Sequence, residues 1–163
     1  MKDLTNLKTY IIDSEDPHEV DDAISLEIKE GNLKNLWIHI SNPCKLFEQD
    51  SIIDLDARKK NSSLYLTQQY IPMLPAEILN EANLAQNKTS ETISATIEFN
   101  NDGSINNYEI MEAIIKPKYQ LTYEDANEII ELEPKEEIEL IEIKNLLEKS
   151  IALRKKQGAV IFE

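Results

Sequence analysis

Ten consecutive residues, Asp13 to Asp22, carry six carboxylates: Asp13, Glu15, Asp16, Glu19, Asp21 and Asp22. Crowding like charges at one structured place costs stability unless a cation neutralises them. Oxygen-rich clusters suit hard divalent ions such as magnesium. Magnesium takes one or two carboxylates together with phosphate oxygens, so the cluster points to metal-assisted chemistry on phosphates. Adjacent Asp21 and Asp22 point different ways from an extended backbone, and Glu19 shares a face with Asp21. Four carboxylates, Asp13, Glu19, Asp21 and Asp22, can therefore converge on one or two ions. A solvated acidic turn and a structural calcium loop remain open alternatives, although the glycine and terminal glutamate of an EF-hand are lacking.

Other residues with chemical potential are few. Tyr65 follows the basic run Arg58-Lys59-Lys60, and Tyr123 opens a helix, where free N–H groups favour phosphate. Bases stack on such rings; half-buried packing is the plainer expectation for both. His39 sits in an apolar strand and reads as a hydrogen-bonded core residue. His18 lies among acids that favour its charged form. Neither histidine has a serine or cysteine at triad spacing. Cys44 is the single cysteine, which excludes an internal disulfide, and is expected to be half-buried. With three glycines there is no glycine-rich phosphate loop.

The elements that must position these residues follow from periodicity. Lys8–Ile12 reads as a strand entering the acidic loop. Ala23–Lys29 and Leu33–Ile40 are strands joined by a turn at Glu30-Gly31-Asn32, and Asn42-Pro43 ends the second. Leu46–Lys60 is expected to be helical in two pieces, and Ser62–Leu66 a short strand. Tyr70–Pro75 is an extended apolar segment, after which Pro75 opens a short helix. Thr92–Phe99 and Ile105–Ile115 form a hairpin about Asn101-Asp102-Gly103. Thr122 and Asp125 cap a helix ending near Leu132. Pro134 starts a long amphipathic helix to Lys156, with Leu140, Ile143, Leu147 and Ile151 as its apolar stripe and Gly158 as its stop. Glu133–Glu142 reads as a solvated acidic face. Ala159–Phe162 starts a new apolar run. The expected fold class is α+β: one mixed, mostly antiparallel sheet flanked by helices.

Composition sets limits. The 163 residues are 41% hydrophobic and 29% charged, as in a globular chain with a real core. No run approaches the ~18 apolar residues of a membrane helix, and no signal-peptide pattern opens the chain. A cytoplasmic protein without membrane partners is expected. The net charge of −14 argues against a stand-alone nucleic-acid binder, which carries a basic face. Binding through metal at one site, or through basic parts on another segment, escapes that objection.

The stretch Ile12-Asp13-Ser14-Glu15-Asp16-Pro17-His18-Glu19-Val20-Asp21-Asp22-Ala23 resembles the signature of the ribonuclease II and ribonuclease R family. Trp37-Ile38-His39-Ile40-Ser41-Asn42-Pro43, Asp56-Ala57-Arg58 through Ser63-Leu64-Tyr65-Leu66, Ile71-Pro72-Met73-Leu74-Pro75 and Leu121-Thr122-Tyr123-Glu124 continue the likeness in order and spacing. The resemblance implies a magnesium-dependent 3′-to-5′ exoribonuclease that degrades single-stranded RNA to nucleoside monophosphates with one or two ions. Carried over, Asp13 and Asp22 are metal ligands, and Asp21 holds metal or the terminal ribose. Glu19 stands at a catalytic acidic position where the family usually has aspartate. Tyr65 stacks on RNA, and Tyr123 lines the site near the 3′ end. The resemblance also implies that residues 1–163 are the N-terminal half of an RNB-type catalytic domain. The missing half and flanking oligonucleotide-binding domains would then be partners, and the isolated chain weakly active or inactive. A non-enzymatic metal-binding or RNA-associated module, and an acidic partner-binding domain, are the alternative readings.

Overall fold

The computed structural model describes residues 1–29 and 34–160. The turn at Glu30-Gly31-Asn32, Leu33 and the end of the run after Val160 lie outside the described residues. Alternating apolar residues build the sheet centre. Strand β2 (Thr9–Asp13) pairs antiparallel with β3 (Asp22–Ile28), and β3 with β4 (Lys34–Ser41), in the register Asp22↔Ile40 to Ile28↔Lys34. Further along, β7 (Ser90–Phe99) and β8 (Ile105–Ile115) form the expected hairpin, and β7 also pairs with β4. Gly103 in its turn has φ +85°, and a Cβ there would lie 2.5 Å from the Lys149 backbone. Both the conformation and the close approach of the later helix require glycine.

Two edge strands complete a seven-stranded sheet, order β1-β8-β7-β4-β3-β2-β9. The two-residue β1 (Lys2–Asp3) lies parallel to β8, and β9 (Tyr119–Thr122) lies parallel to β2. A separate two-stranded hairpin joins β5 (Leu64–Leu66) to β6 (Gln69–Ile71). The architecture is α+β, with a mostly antiparallel sheet.

Alternation gives the sheet two different faces. On one, Tyr10, Leu26 and Leu36 pack with Leu140 and Ile143 of α4 (Ile138–Lys156) and Ile129 and Ile130 of α3 (Tyr123–Leu132). On the other, Ile11, Ala23, Trp37, Ala113 and Ile115 enclose Leu4, Val20 and Leu84, drawn from loops and the N-terminus. His39 lies wholly buried there between Ser25 and Ser94, its ring nitrogens 2.9 and 2.8 Å from the two hydroxyls, as a core role requires.

Helix boundaries differ from expectation at two places. Residues 46–51 are not helical: Asp50 takes φ +62°, and Ser51 caps α1 (Ile52–Lys60) by accepting the Asp54 N–H. A 3₁₀ turn, Lys135–Glu137, precedes α4. The shorter α2 (Ala76–Ala82) starts at Pro75, and α3 carries the full Thr122–Asp125 capping box. Of the α4 stripe, Leu140 and Ile143 are buried whereas Leu147 and Ile151 are exposed, because only the first half of the helix crosses the sheet core. Cys44 is exposed rather than half-buried, lying in a 3₁₀ turn after Pro43. Among the described residues, no helix is long and apolar enough to cross a membrane.

Candidate active site

The acidic loop leaves the sheet at Asp13 and re-enters it at Asp22. Its middle is pinned by a buried apolar side chain. Val20 joins the core, its N–H donates to Asn83 Oδ1 (3.2 Å), and its carbonyl accepts the Leu84 N–H (2.9 Å). Asp21 extends the β3–β4 ladder: its carbonyl accepts the Ser41 N–H (2.7 Å), and Ser41 Oγ donates to its carboxylate (2.9 Å). Asp13 pairs in register with Thr122 of β9, so Tyr123 at the start of α3 sits beside it.

Three of the acids share one electrostatic neighbourhood. The Asp22 carboxyl is pushed above the usual aspartate range, first by packing around it and then by the charges of Asp13 and Asp21. Among the described residues, no lysine, arginine or histidine forms an ion pair with Asp13, Asp21 or Asp22. Two members of the basic run preceding Tyr65 are engaged elsewhere: Arg58 pairs with Asp50 and Asp54, and Lys60 with Asp56.

Glu19 is engaged differently. Ser63 Oγ (2.6 Å), Tyr70 OH (2.5 Å) and Tyr65 OH (3.1 Å) all donate to its carboxylate. Burial alone would raise its pKa, but the three hydroxyls and then the nearby His18 outweigh it and hold the group below the ordinary glutamate range. The His18 ring stacks on Tyr70 at 4.3 Å and 8°. Tyr65 and Tyr123 are 61% and 56% exposed, so both rings are open to a ligand rather than half-buried.

A hollow of about 250 Å³ lies between Glu19, Asp21, Pro43, Ser63, Met73 and Leu79. A larger one, about 530 Å³, lies at the other end of β2 around Lys8 and Lys118, away from the acidic loop.

The donor set fits a hard cation in chemistry: carboxylate oxygens, mutually repelling and unneutralised. Among the described residues, no three Asp, Glu, His or Cys side chains are arranged to hold a metal ion. Magnesium asks for only one or two protein carboxylates beside water and phosphate oxygens, so the pair Asp13 and Asp22 suffices in kind.

Sequence reasoning missed Ser41, Ser63, Tyr70 and Asn83, which fix the loop. One signal was present. Ser63 and Tyr65 stand two apart on an extended segment and so share a face. The others are supplied by distant segments and have no local signature.

The RNB domain family model matches residues 1–163. An uncharacterized ribonuclease of Synechocystis is 36% identical over 99% of this chain and 24% of its own length. The chloroplastic/mitochondrial ribonuclease II of Arabidopsis thaliana is 35% identical over 97% of this chain and 20% of its own. The chain thus spans between about a fifth and a quarter of these curated relatives. Among solved structures, Mycoplasma genitalium RNase R in complex with double-stranded RNA superposes over 99% of this chain and 30% of that one, at 23% identity and TM-score 0.85. Yeast Ssd1, a pseudonuclease, superposes over 79% of this chain and 16% of its own at 22% identity and TM-score 0.71. Those two likenesses establish a shared fold, and a pseudonuclease with that fold shows that architecture alone does not fix chemistry. With the family match over its whole length, the chain belongs to the RNB domain family.

Proposed function

We propose that this chain carries the metal-holding part of a magnesium-dependent 3′-to-5′ exoribonuclease site acting on single-stranded RNA. One observation carries the reading: among the described residues, Asp13, Asp21 and Asp22 crowd together without a basic partner, flanked by the exposed rings of Tyr65 and Tyr123. Asp13 and Asp22 would hold the ion. When bound, magnesium neutralises phosphate charge and acidifies water for in-line hydrolysis to nucleoside monophosphates. Asp21, oriented by Ser41, offers its remaining oxygen to the ion or to a terminal ribose hydroxyl. Tyr65 and Tyr123 offer stacking faces to bases. Developing charge on the phosphate also needs a cationic donor. The chain's arginines give none here, because Arg58 is paired with Asp50 and Asp54 and Arg154 lies near the end of α4. We therefore assign that donor to other parts of a longer protein, consistent with the share of the relatives that the chain spans.

The reading is tested with 3′-labelled single-stranded RNA and the chain itself. Anisotropy should report RNA binding that appears with magnesium and is lost with chelator, because −14 charges repel RNA otherwise. Tyr65→Ala should weaken that binding about tenfold, the worth of one stacked base. Hydrolysis should be slow or absent. Binding indifferent to chelator and to Asp22→Asn overturns the metal reading, and vigorous stepwise degradation overturns the assignment of a missing cationic donor.

A further inference from the structure

The β5–β6 hairpin has little to hold it. Each strand is three residues long, and Leu64, Tyr65 and Leu66 are 48%, 61% and 57% exposed. A two-stranded hairpin so poorly buried is marginal alone. Its side-chain anchor is the carboxylate of Glu19. Oε1 accepts from Ser63 and Tyr70, and Oε2 accepts from Tyr65. Ser63 Oγ in turn accepts the Met73 N–H at 2.9 Å, so the bonds gather both ends of the hairpin. Tyr70 is also held by the stacked His18 ring, and Tyr65 leans on Tyr70 at 5.2 Å and 39°. Three hydroxyls on one carboxylate leave it few free acceptor sites.

We infer that Glu19 is a positioning residue, whose carboxylate clamps the β5–β6 hairpin to the acidic loop and presents the Tyr65 ring, and is not a metal ligand. Its role in RNA binding rests on the function proposed above; the clamp itself does not. The geometry sets which substitutions matter. Glutamine keeps the length: its amide oxygen accepts from Ser63 and Tyr70, and its amide N–H donates to the Tyr65 oxygen. Aspartate keeps the charge but falls one methylene short of the hydroxyls. A clamp is therefore rescued by glutamine and not by aspartate. A metal ligand is rescued by aspartate and not by glutamine.

The full chain is compared with Glu19→Gln, Glu19→Asp, Glu19→Ala and Tyr70→Phe. Buried Trp37 reports by fluorescence that each is folded. Amide exchange across 64–71 should quicken at least about tenfold in Glu19→Ala and Glu19→Asp, and by less than about threefold in Glu19→Gln. Tyr70→Phe, which removes one hydroxyl, should fall between. Mn²⁺ affinity, read by electron paramagnetic resonance, should stay within about threefold of the parent in all four. The inference is overturned if Glu19→Gln weakens Mn²⁺ about tenfold or more, or if Glu19→Ala leaves exchange unchanged. Should Glu19→Ala unfold, Glu19→Gln and Tyr70→Phe still decide. Single-stranded RNA binding should follow the exchange order. If the parent binds no RNA, the proposed function fails while exchange and Mn²⁺ still judge the clamp.

Discussion

Two carboxylates of this molecule, Glu137 before α4 and Asp22 in the acidic loop, are treated in opposite ways. At the foot of α4, Glu137 accepts hydrogen bonds from Tyr10 OH (2.6 Å) and Tyr119 OH (2.9 Å) and pairs with Lys8 at 3.6 Å. Lys8 also reaches Glu139 at 2.9 Å and the Glu136 carbonyl, and Lys34 pairs with Glu142 at 2.5 Å. Glu137, Glu139 and Glu142 thus tie this segment to β2, β9 and β4, whereas Glu133 and Glu136 stay exposed as the composition suggests. Burial would raise the Glu137 pKa, but the two phenols and Lys8 hold it below the usual range. At the acidic loop Asp22 is driven the other way, with like charges as neighbours. Where acids serve the fold, hydroxyls and ammonium groups meet them; where they are left repelling one another, the fold is less stable than it need be. That crowding is what the proposed cation would relieve.

The sharpest break of the contrast is at Glu137. Glu137→Ala strands the buried Tyr10 hydroxyl, removes the acceptor of Tyr119 OH and takes away one of the two carboxylates beside Lys8, and should cost about 3 kcal/mol in urea unfolding. A cost below about 1 kcal/mol would show that these contacts are ornamental.

Acid should separate the regions next. His39 meets only neutral hydroxyls, and burial pushes it down to about 4 from 6.5. The unfolded chain therefore takes up its proton first. Stability is whole above about pH 6.5 and falls as pH drops toward 4, by about 3 kcal/mol in all. Glu137, with a depressed pKa, loses stability in the same direction; Asp22, with a raised one, gains as it is protonated. Urea midpoints between pH 7 and pH 4.5 should fall in the parent, and the slope should flatten in His39→Gln.

A smaller effect comes from the helix that places Tyr123. Thr122→Ala removes the cap to the Asp125 N–H and should cost about 1 kcal/mol by thermal unfolding. The smallest is at the acidic loop itself. Asp22→Asn relieves repulsion and should stabilise the chain by about 0.5 kcal/mol without magnesium, solvent screening having reduced the gain. With magnesium present the gain should vanish.

The same contrast marks what could be read from the sequence. Alternation, the Asn101-Asp102-Gly103 turn and the Thr122–Asp125 box are local signals, and the β7–β8 hairpin and α3 stand as those signals dictate. The parallel pairings of β1 and β9 were not legible, because two- and four-residue strands carry no period and find distant partners. Residues 46–51 read as helix until Ser51 and the left-handed Asp50 restart the chain. At the site, the acidic loop stands out by composition, and Asp13, Glu19, Asp21 and Asp22 by their spacing within it. The engagement of Glu19 does not, since Ser63, Tyr65 and Tyr70 lie more than 40 residues away. Nor does that of Glu137, whose tyrosines come from β2 and β9.

The central proposal, that aspartates without a basic partner among the described residues take up a divalent ion, is tested most directly by thermal unfolding under a magnesium titration. The parent and Glu137→Ala should both rise in midpoint and saturate, gaining about 2.7 kcal/mol at 100 times the dissociation constant, while Asp22→Asn should barely move. Equal responses from the parent and Asp22→Asn, or none from the parent, would contradict the account.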